Sequence, residues 1–162
     1  MFARMVVLCA IGLSLGASAN ETLRGIEEVR VTISVGERAN TGLSTGSITT
    51  DVELELQRLG VPVTDKPLED YLHISIIIVD MDPEASDETR RYVYYISADY
   101  YQRTQITRED IIITSTSSTW RYPGRLGVTD ERIAERVNET CLRVARSFAN
   151  DYLKANQRTN DE

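Results

Sequence analysis

His73 is the only histidine in the 162 residues, so every imidazole-dependent chemistry has to pass through it. A multi-histidine metal cluster cannot be built, and any Ser-His or Cys-His pair must use this one ring. Ser75, two positions on, would share its strand face. A strand-borne histidine turned toward a polar surface explains the same spacing without catalysis. The carboxylates Asp80, Asp82, Glu84, Asp87 and Glu88 crowd one turn and offer oxygen donors at alternate positions, as a hard cation requires. They lack calcium-loop spacing and its central glycine, so a solvated hairpin turn is the simpler reading. Asp99 and Asp80 could serve as a hydrolytic carboxylate pair only if the fold held them about 5 to 9 Å apart.

Other motifs offer less. Gly36, Gly42 and Gly46 precede a helical segment but lead to no Gly-Lys-Ser/Thr ending, which argues against a nucleotide cradle. Backbone N–H groups near Ser47 could still meet a small anion. Cys141 falls on an apolar helical stripe, where burial makes a thiol inert, and it would link two chains only if that stripe were exposed. Asn138-Glu139-Thr140 matches a glycosylation acceptor in a helical setting that argues against its use.

Aromatic placement is the more informative signal. Tyr92, Tyr94, Tyr95, Tyr100 and Tyr101 fall in one segment, and Trp120 and Tyr122 end the next. Strand alternation groups Tyr92, Tyr94, Ile96, Ala98 and Tyr100 on one face, with Val93, Tyr95, Ser97, Asp99 and Tyr101 on the other. The second set is mixed in polarity. Tyr95, Tyr101, Asp99, Arg30 and Trp120 are therefore the expected binding residues of a semi-polar plate suited to protein or glycan contact. Tyrosines merely capping an open sheet are the competing explanation. Thr114 to Thr119 could add an edge for strand pairing with a partner.

Several elements must position that plate. Val29, Val31, Ile33 and Val35 alternate with Glu28, Arg30, Thr32 and Ser34, the mark of a half-buried strand. From Ser47 the period changes to helical, with Ile48, Val52, Leu56 and Leu59 on one stripe, Gly60 as its C-terminal stop and Pro62 beyond. Tyr71 to Met81, Arg91 to Gln102 and Asp110 to Tyr122 read as three further strands, the last ended by Pro123-Gly124. Thr129 can cap a final helix reaching about Lys154, striped by Ile133, Val137, Cys141, Val144, Phe148 and Tyr152. The expected fold is α/β, of the α+β-like two-layer sandwich type, ordered β-α-β-β-β-α: a mixed four-stranded sheet with two helices on one face.

Composition bounds the partners. The chain carries 18 basic and 25 acidic residues, a net charge of -7 that opposes binding to nucleic acid or anionic lipid. Arg4, the apolar run Met5 to Leu15 and Ala17-Ser18-Ala19 read as an export signal over residues 1–19, leaving a single domain at 20–155 and a flexible tail at 156–162. Export leaves Cys141 as the sole cysteine, so no internal disulfide is expected. The apolar run is too short for a permanent span, and stable membrane insertion is not expected.

Three stretches carry a resemblance: Thr50-Asp-Val-Glu-Leu-Glu-Leu-Gln-Arg-Leu-Gly-Val-Pro-Val63, Tyr71-Leu-His-Ile-Ser-Ile76 and Arg146-Ser-Phe-Ala-Asn-Asp-Tyr-Leu153. In these the chain resembles a group of small, uncharacterised secreted bacterial α/β proteins. More weakly it is similar to the N-terminal domain of TolB and to periplasmic lipoproteins that activate peptidoglycan synthases. The resemblance implies this fold and a location in the bacterial envelope, periplasmic or secreted, and it brings no catalytic assignment. Residues and resemblance together lead to an exported, non-enzymatic accessory or binding domain without a cofactor. Its partner would be an envelope protein or glycan, or a second copy in a homodimer. A carboxylate-based hydrolase or carbohydrate-active enzyme is the alternative, and a structural homo-oligomer subunit the third reading.

Overall fold

A computed structural model describes residues 21–37, 41–86, 90–108, 111–130 and 132–157. The expected export signal at 1–19 lies outside them, as do Asp87 and Glu88 of the acidic turn. After a 3-10 turn at Glu21–Leu23 come β1 (Arg30–Glu37), α1 (Thr45–Arg58), β2 (Tyr71–Asp80), β3 (Tyr92–Arg108), β4 (Ile111–Thr129) and α2 (Ile133–Gln157). The sheet runs β1-β2-β3-β4, parallel between β1 and β2 and antiparallel across the other two pairs. This is the expected two-layer β-α-β-β-β-α fold, with a mixed four-stranded sheet and two helices on one face.

Helix α1 begins slightly before the apolar period suggests, because Ser44 caps it: the Ser44 hydroxyl accepts from the Ser47 N–H at 3.3 Å. Its end follows the sequence signal. Gly60 adopts φ 89° and donates to the Gln57 carbonyl, while Val61 N–H reaches back to Leu56 O at 3.0 Å, closing a Schellman motif. Helix α2 starts at Ile133 rather than Thr129, which is the last residue of β4. Asn156, expected in a flexible tail, belongs to α2. Its amide donates to Leu23 O at 3.1 Å and accepts from Gly25 N–H at 2.9 Å, tying the helix end to the chain's lead segment.

The expected stop at Pro123-Gly124 does not occur. Strand β4 continues to Thr129, because two residues of β4 face one of β3 there: Ile96 pairs with Arg125 and Ala98 with Tyr122, leaving Pro123 and Gly124 opposite Ser97. A bulge on an edge strand is where a residue without an N–H costs no ladder bond.

Leu72, Ile74, Ile76 and Ile78 of β2, with Ile96, Ala98 and Tyr100 of β3, form the covered face of the sheet. Phe148 of α2 plugs into this layer, its ring 5.3 Å from Tyr100 and 5.1 Å from Trp120 in an edge-to-face contact. Cys141 is fully buried on the same helix, and burial pushes its thiol up to about 12, so it stays protonated and unreactive.

A buried carboxylate joins the helices. Glu55 of α1, 9% exposed, accepts from Arg146 of α2 at 2.6 Å and from Arg58 at 2.9 Å. These two hydrogen bonds, Arg146 first, hold its carboxyl below the ordinary carboxylate range against the opposing effect of burial. A depressed folded pKa stabilises the fold above the unfolded value and loses that contribution as pH falls through the folded one. Because both arginines are more than half exposed, Glu55→Gln is expected to cost only about 1–2 kcal/mol at neutral pH. Urea titrations of both proteins at stepped pH should show the difference shrinking once pH drops below the ordinary carboxylate range.

Candidate contact face

The sheet face opposite the helices is set by strand alternation, and cross-strand register sorts it into rows. Arg30, Tyr71, Tyr101 and Ser118 align across all four strands. The next row is Thr32, His73, Asp99 and Arg121, followed by Ser34, Ser75 and Ser97. Gly36, Ile77, Tyr95 and Leu126 come next, and Val79, Val93 and Val128 complete the face. One half is polar and aromatic, the other aliphatic.

Four of the five expected site residues lie here. Tyr95 is exposed, while Tyr101, Asp99 and Arg30 are half-buried in their rows. Tyr95 sits in the aliphatic half, apart from the other three. Trp120 is a correction: it points to the helix layer, is 3% exposed, and donates its Nε1–H to Asp151 of α2 at 3.0 Å. The physical reason is register: Trp120 pairs with Tyr100 and lies two residues from Tyr122, the partner of Ala98, so strand alternation turns it to the covered face, while an irregularity on its other side places Ser118 beside Tyr101 on the open face. Tyr71, which the expected plate omits, pairs its ring with Tyr101 at 5.3 Å.

In the polar half, hydroxyls of β1 bracket the single histidine. Thr32 Oγ1 lies 2.9 Å from His73 Nδ1 and Ser34 Oγ lies 3.0 Å from Nε2, so the ring spans two side chains of the neighbouring strand. Ser75, which shares the strand face of His73, is not one of them. Asp99, in register with His73, directs Oδ1 away, accepting from Ser118 Oγ and Arg121 Nε, both at 2.7 Å. Ser34 and His73 thus have nucleophile-base spacing, but a threonine hydroxyl stands where a triad needs a carboxylate.

The carboxylate pair fails on distance. Asp99 pairs with His73, seven residues along β2 from Asp80, a separation of roughly 23 Å at 3.3 Å per residue. Asp80 also points to the other face. At the acidic turn, Asp80 meets Arg90 at 3.5 Å and accepts from Asp82 N–H at 3.0 Å, and Asp82 meets Arg91 at 3.5 Å. Arginines thus neutralise two of its carboxylates. Among the described residues no group of three or more His, Cys, Asp or Glu is placed to hold a metal ion. At the start of α1 the Ser44 hydroxyl takes the Ser47 N–H, one of the groups that could have met a small anion. Asn138, of the glycosylation pattern, is half-buried and donates to Asp51 Oδ2 at 2.9 Å, joining the two helices.

The aliphatic half escaped the sequence reading, which followed tyrosines. Ile77, Val79, Met81, Leu126 and Val128 are exposed beside Tyr95, and Val93 lies half-buried among them. Leu126 and Val128 belong to the part of β4 beyond Pro123, where a continued strand was not expected. Two glycines of that stretch admit rings: a Cβ at Gly124 would overlap the Tyr95 phenol, and one at Gly127 the Tyr94 ring on the helix side.

No protein-family model matches the sequence, and no curated protein matches it. Among the described residues, no helix is long and apolar enough to cross a membrane.

Proposed function

We propose that this chain is an exported, non-enzymatic accessory or binding domain of the bacterial envelope, periplasmic or secreted, that grips a protein partner through the open face of its sheet. The observation that carries the reading is the aliphatic half of that face. A folded sheet that leaves Ile77, Val79, Met81, Tyr95, Leu126 and Val128 in contact with water carries a patch of the kind that marks interaction sites. The adjoining hydroxyl, tyrosine and Asp99-Arg121 rows supply a polar rim. A glycan partner would use the Tyr71-Tyr101 ring pair, but the aliphatic rows fit protein better. The acidic balance of the chain argues against nucleic acid. The leader at 1–19 supports the envelope assignment.

Replacing Tyr95 and Tyr101 together by alanine tests it. Neither ring belongs to the covered core, so the double variant should fold while losing about 10- to 100-fold in partner affinity, with Glu139→Ala on the helix layer unchanged. Undiminished binding by a folded double variant would remove this face from the account. One observation favours a second reading, a serine hydrolase built on Ser34 and His73. Labelling of Ser34 by a fluorophosphonate, abolished in Ser34→Ala and His73→Ala, would establish it.

A further inference from the structure

Where β1 and β2 begin, the end of the sheet carries a cleft of about 440 Å³ walled by the lead segment, the loop before β2 and strand β3. Its lead-segment wall is fixed to α2: the Tyr152 hydroxyl donates to Ile26 O at 2.9 Å, and Asn156 bonds both Leu23 and Gly25. Tyr100 of β3 forms another part of the wall. It is fully buried, and its hydroxyl has no hydrogen-bond partner among the described residues. Buried hydroxyls nearly always have one, because a phenol taken out of water loses hydrogen bonds that the fold must replace. Burial, and then the charge of Asp70 in the same cleft, push the Tyr100 pKa up, so the group stays a neutral hydroxyl with a lone pair to offer.

The charges around it are unevenly matched. Glu28 is met by Lys66 at 3.5 Å and Glu69 by Arg103 at 2.8 Å. Asp70 spends one oxygen on the backbone N–H of Arg103 at 2.8 Å, a donor without charge. That leaves the carboxylates of Glu27 and Asp70 against Arg24 alone, an excess of one negative charge. Ile26 and Leu68 add aliphatic surface.

We propose that this cleft binds a primary ammonium group on a short aliphatic stem, with Asp70 as its counter-charge and the Tyr100 hydroxyl as an acceptor. An ammonium has three donors, enough to serve both. Its single positive charge balances the excess. The stem lies along Leu68 and Ile26, as lysine stems cover apolar surface. A metal ion suits the cleft less well, because among the described residues no three His, Cys, Asp or Glu side chains converge to ligate one. Tyr100 is on the helix-covered side of β3, so the site is separate from the open contact face and is tested independently of it.

Titration of the purified protein with n-butylammonium chloride at constant ionic strength, followed by the amide NMR shifts of Asp70 and Arg103, provides the test. Half-saturation at about 1–10 mM is expected for so small a ligand. Tyr100→Phe should weaken binding about 10-fold. Because it removes a hydroxyl without a partner, it should not lower the urea midpoint. Asp70→Asn keeps an oxygen for the Arg103 N–H but loses the charge, and should weaken binding about 10- to 100-fold. Two sources share this chemistry, a free amine and the lysine side chain of a protein. Tighter binding of Nα-acetyl-lysine amide than of n-butylammonium would support the proposal with a protein source, and the reverse order would support it with a free amine. Absence of saturation in the wild type, or unchanged affinity in either variant, would overturn the proposal. So would a lower urea midpoint for Tyr100→Phe, which would mean that the hydroxyl already has a partner within the fold.

Discussion

Phe148→Ala is expected to lower the unfolding free energy by about 3–5 kcal/mol, a large part of what a domain of this size possesses. Phe148 is fully buried, and its ring is the hub of the aromatic layer between α2 and the sheet. Tyr100, Trp120 and Tyr152 all pack against it. Two of the three are tied by hydrogen bonds that filling the space would break. Trp120 is held by Asp151, and the Tyr152 hydroxyl donates to Ile26 O at 2.9 Å. The cavity therefore persists. Chemical denaturation read by Trp120 fluorescence would measure the loss. A cost below about 1 kcal/mol would mean that α2 does not pack on the sheet as described.

Gly127→Val should cost about 3 kcal/mol, near the top of the range for forcing atoms into a filled space. A Cβ at this position overlaps the Tyr94 ring, which is 7% exposed on the helix side and has no solvent to swing into. Gly124→Ala makes the contrast. The atoms it would meet belong to the outer end of Tyr95, 39% exposed on the open face, so the ring can rotate away at a cost well under 1 kcal/mol. Thermal melts of the two variants separate these outcomes. Equal losses would contradict the assignment of Tyr94 and Tyr95 to opposite faces.

Much of this architecture was legible because short-range rules determine it. Two-residue alternation in β1 and β3 grouped the side chains that do share a face, and Gly60 ended α1 as its position implies. Long-range geometry was less accessible. Pro123-Gly124 reads as a stop in isolation, and only the pairing with Ser97 shows that a bulge on an outer strand absorbs it. Trp120 lies in the core because its cross-strand partner is Tyr100 on the covered face, a pairing that spacing within β4 alone does not reveal. The Glu55-Arg146 bond joins residues 91 positions apart, and no local spacing marks it. The aliphatic half of the open face was hidden for a related reason: its rows draw Ile77, Tyr95 and Leu126 from three strands, and register alone brings them together. Ser34 beside His73 likewise depends on the parallel pairing of β1 with β2.

Site-specific photo-crosslinking in the cell that makes the protein tests the contact face most directly. A photoreactive side chain replaces Leu126 in the aliphatic half of the open face or, in a parallel strain, Glu139 on the outer surface of α2. Both sites are exposed, so both tolerate the probe without disturbing the core. Discrete adducts from position 126 that disappear in the Tyr95→Ala/Tyr101→Ala background, with none from position 139, are the expected result. Adducts from position 139 with none from position 126 would contradict it, and would move the contact surface from the open sheet to the helix layer.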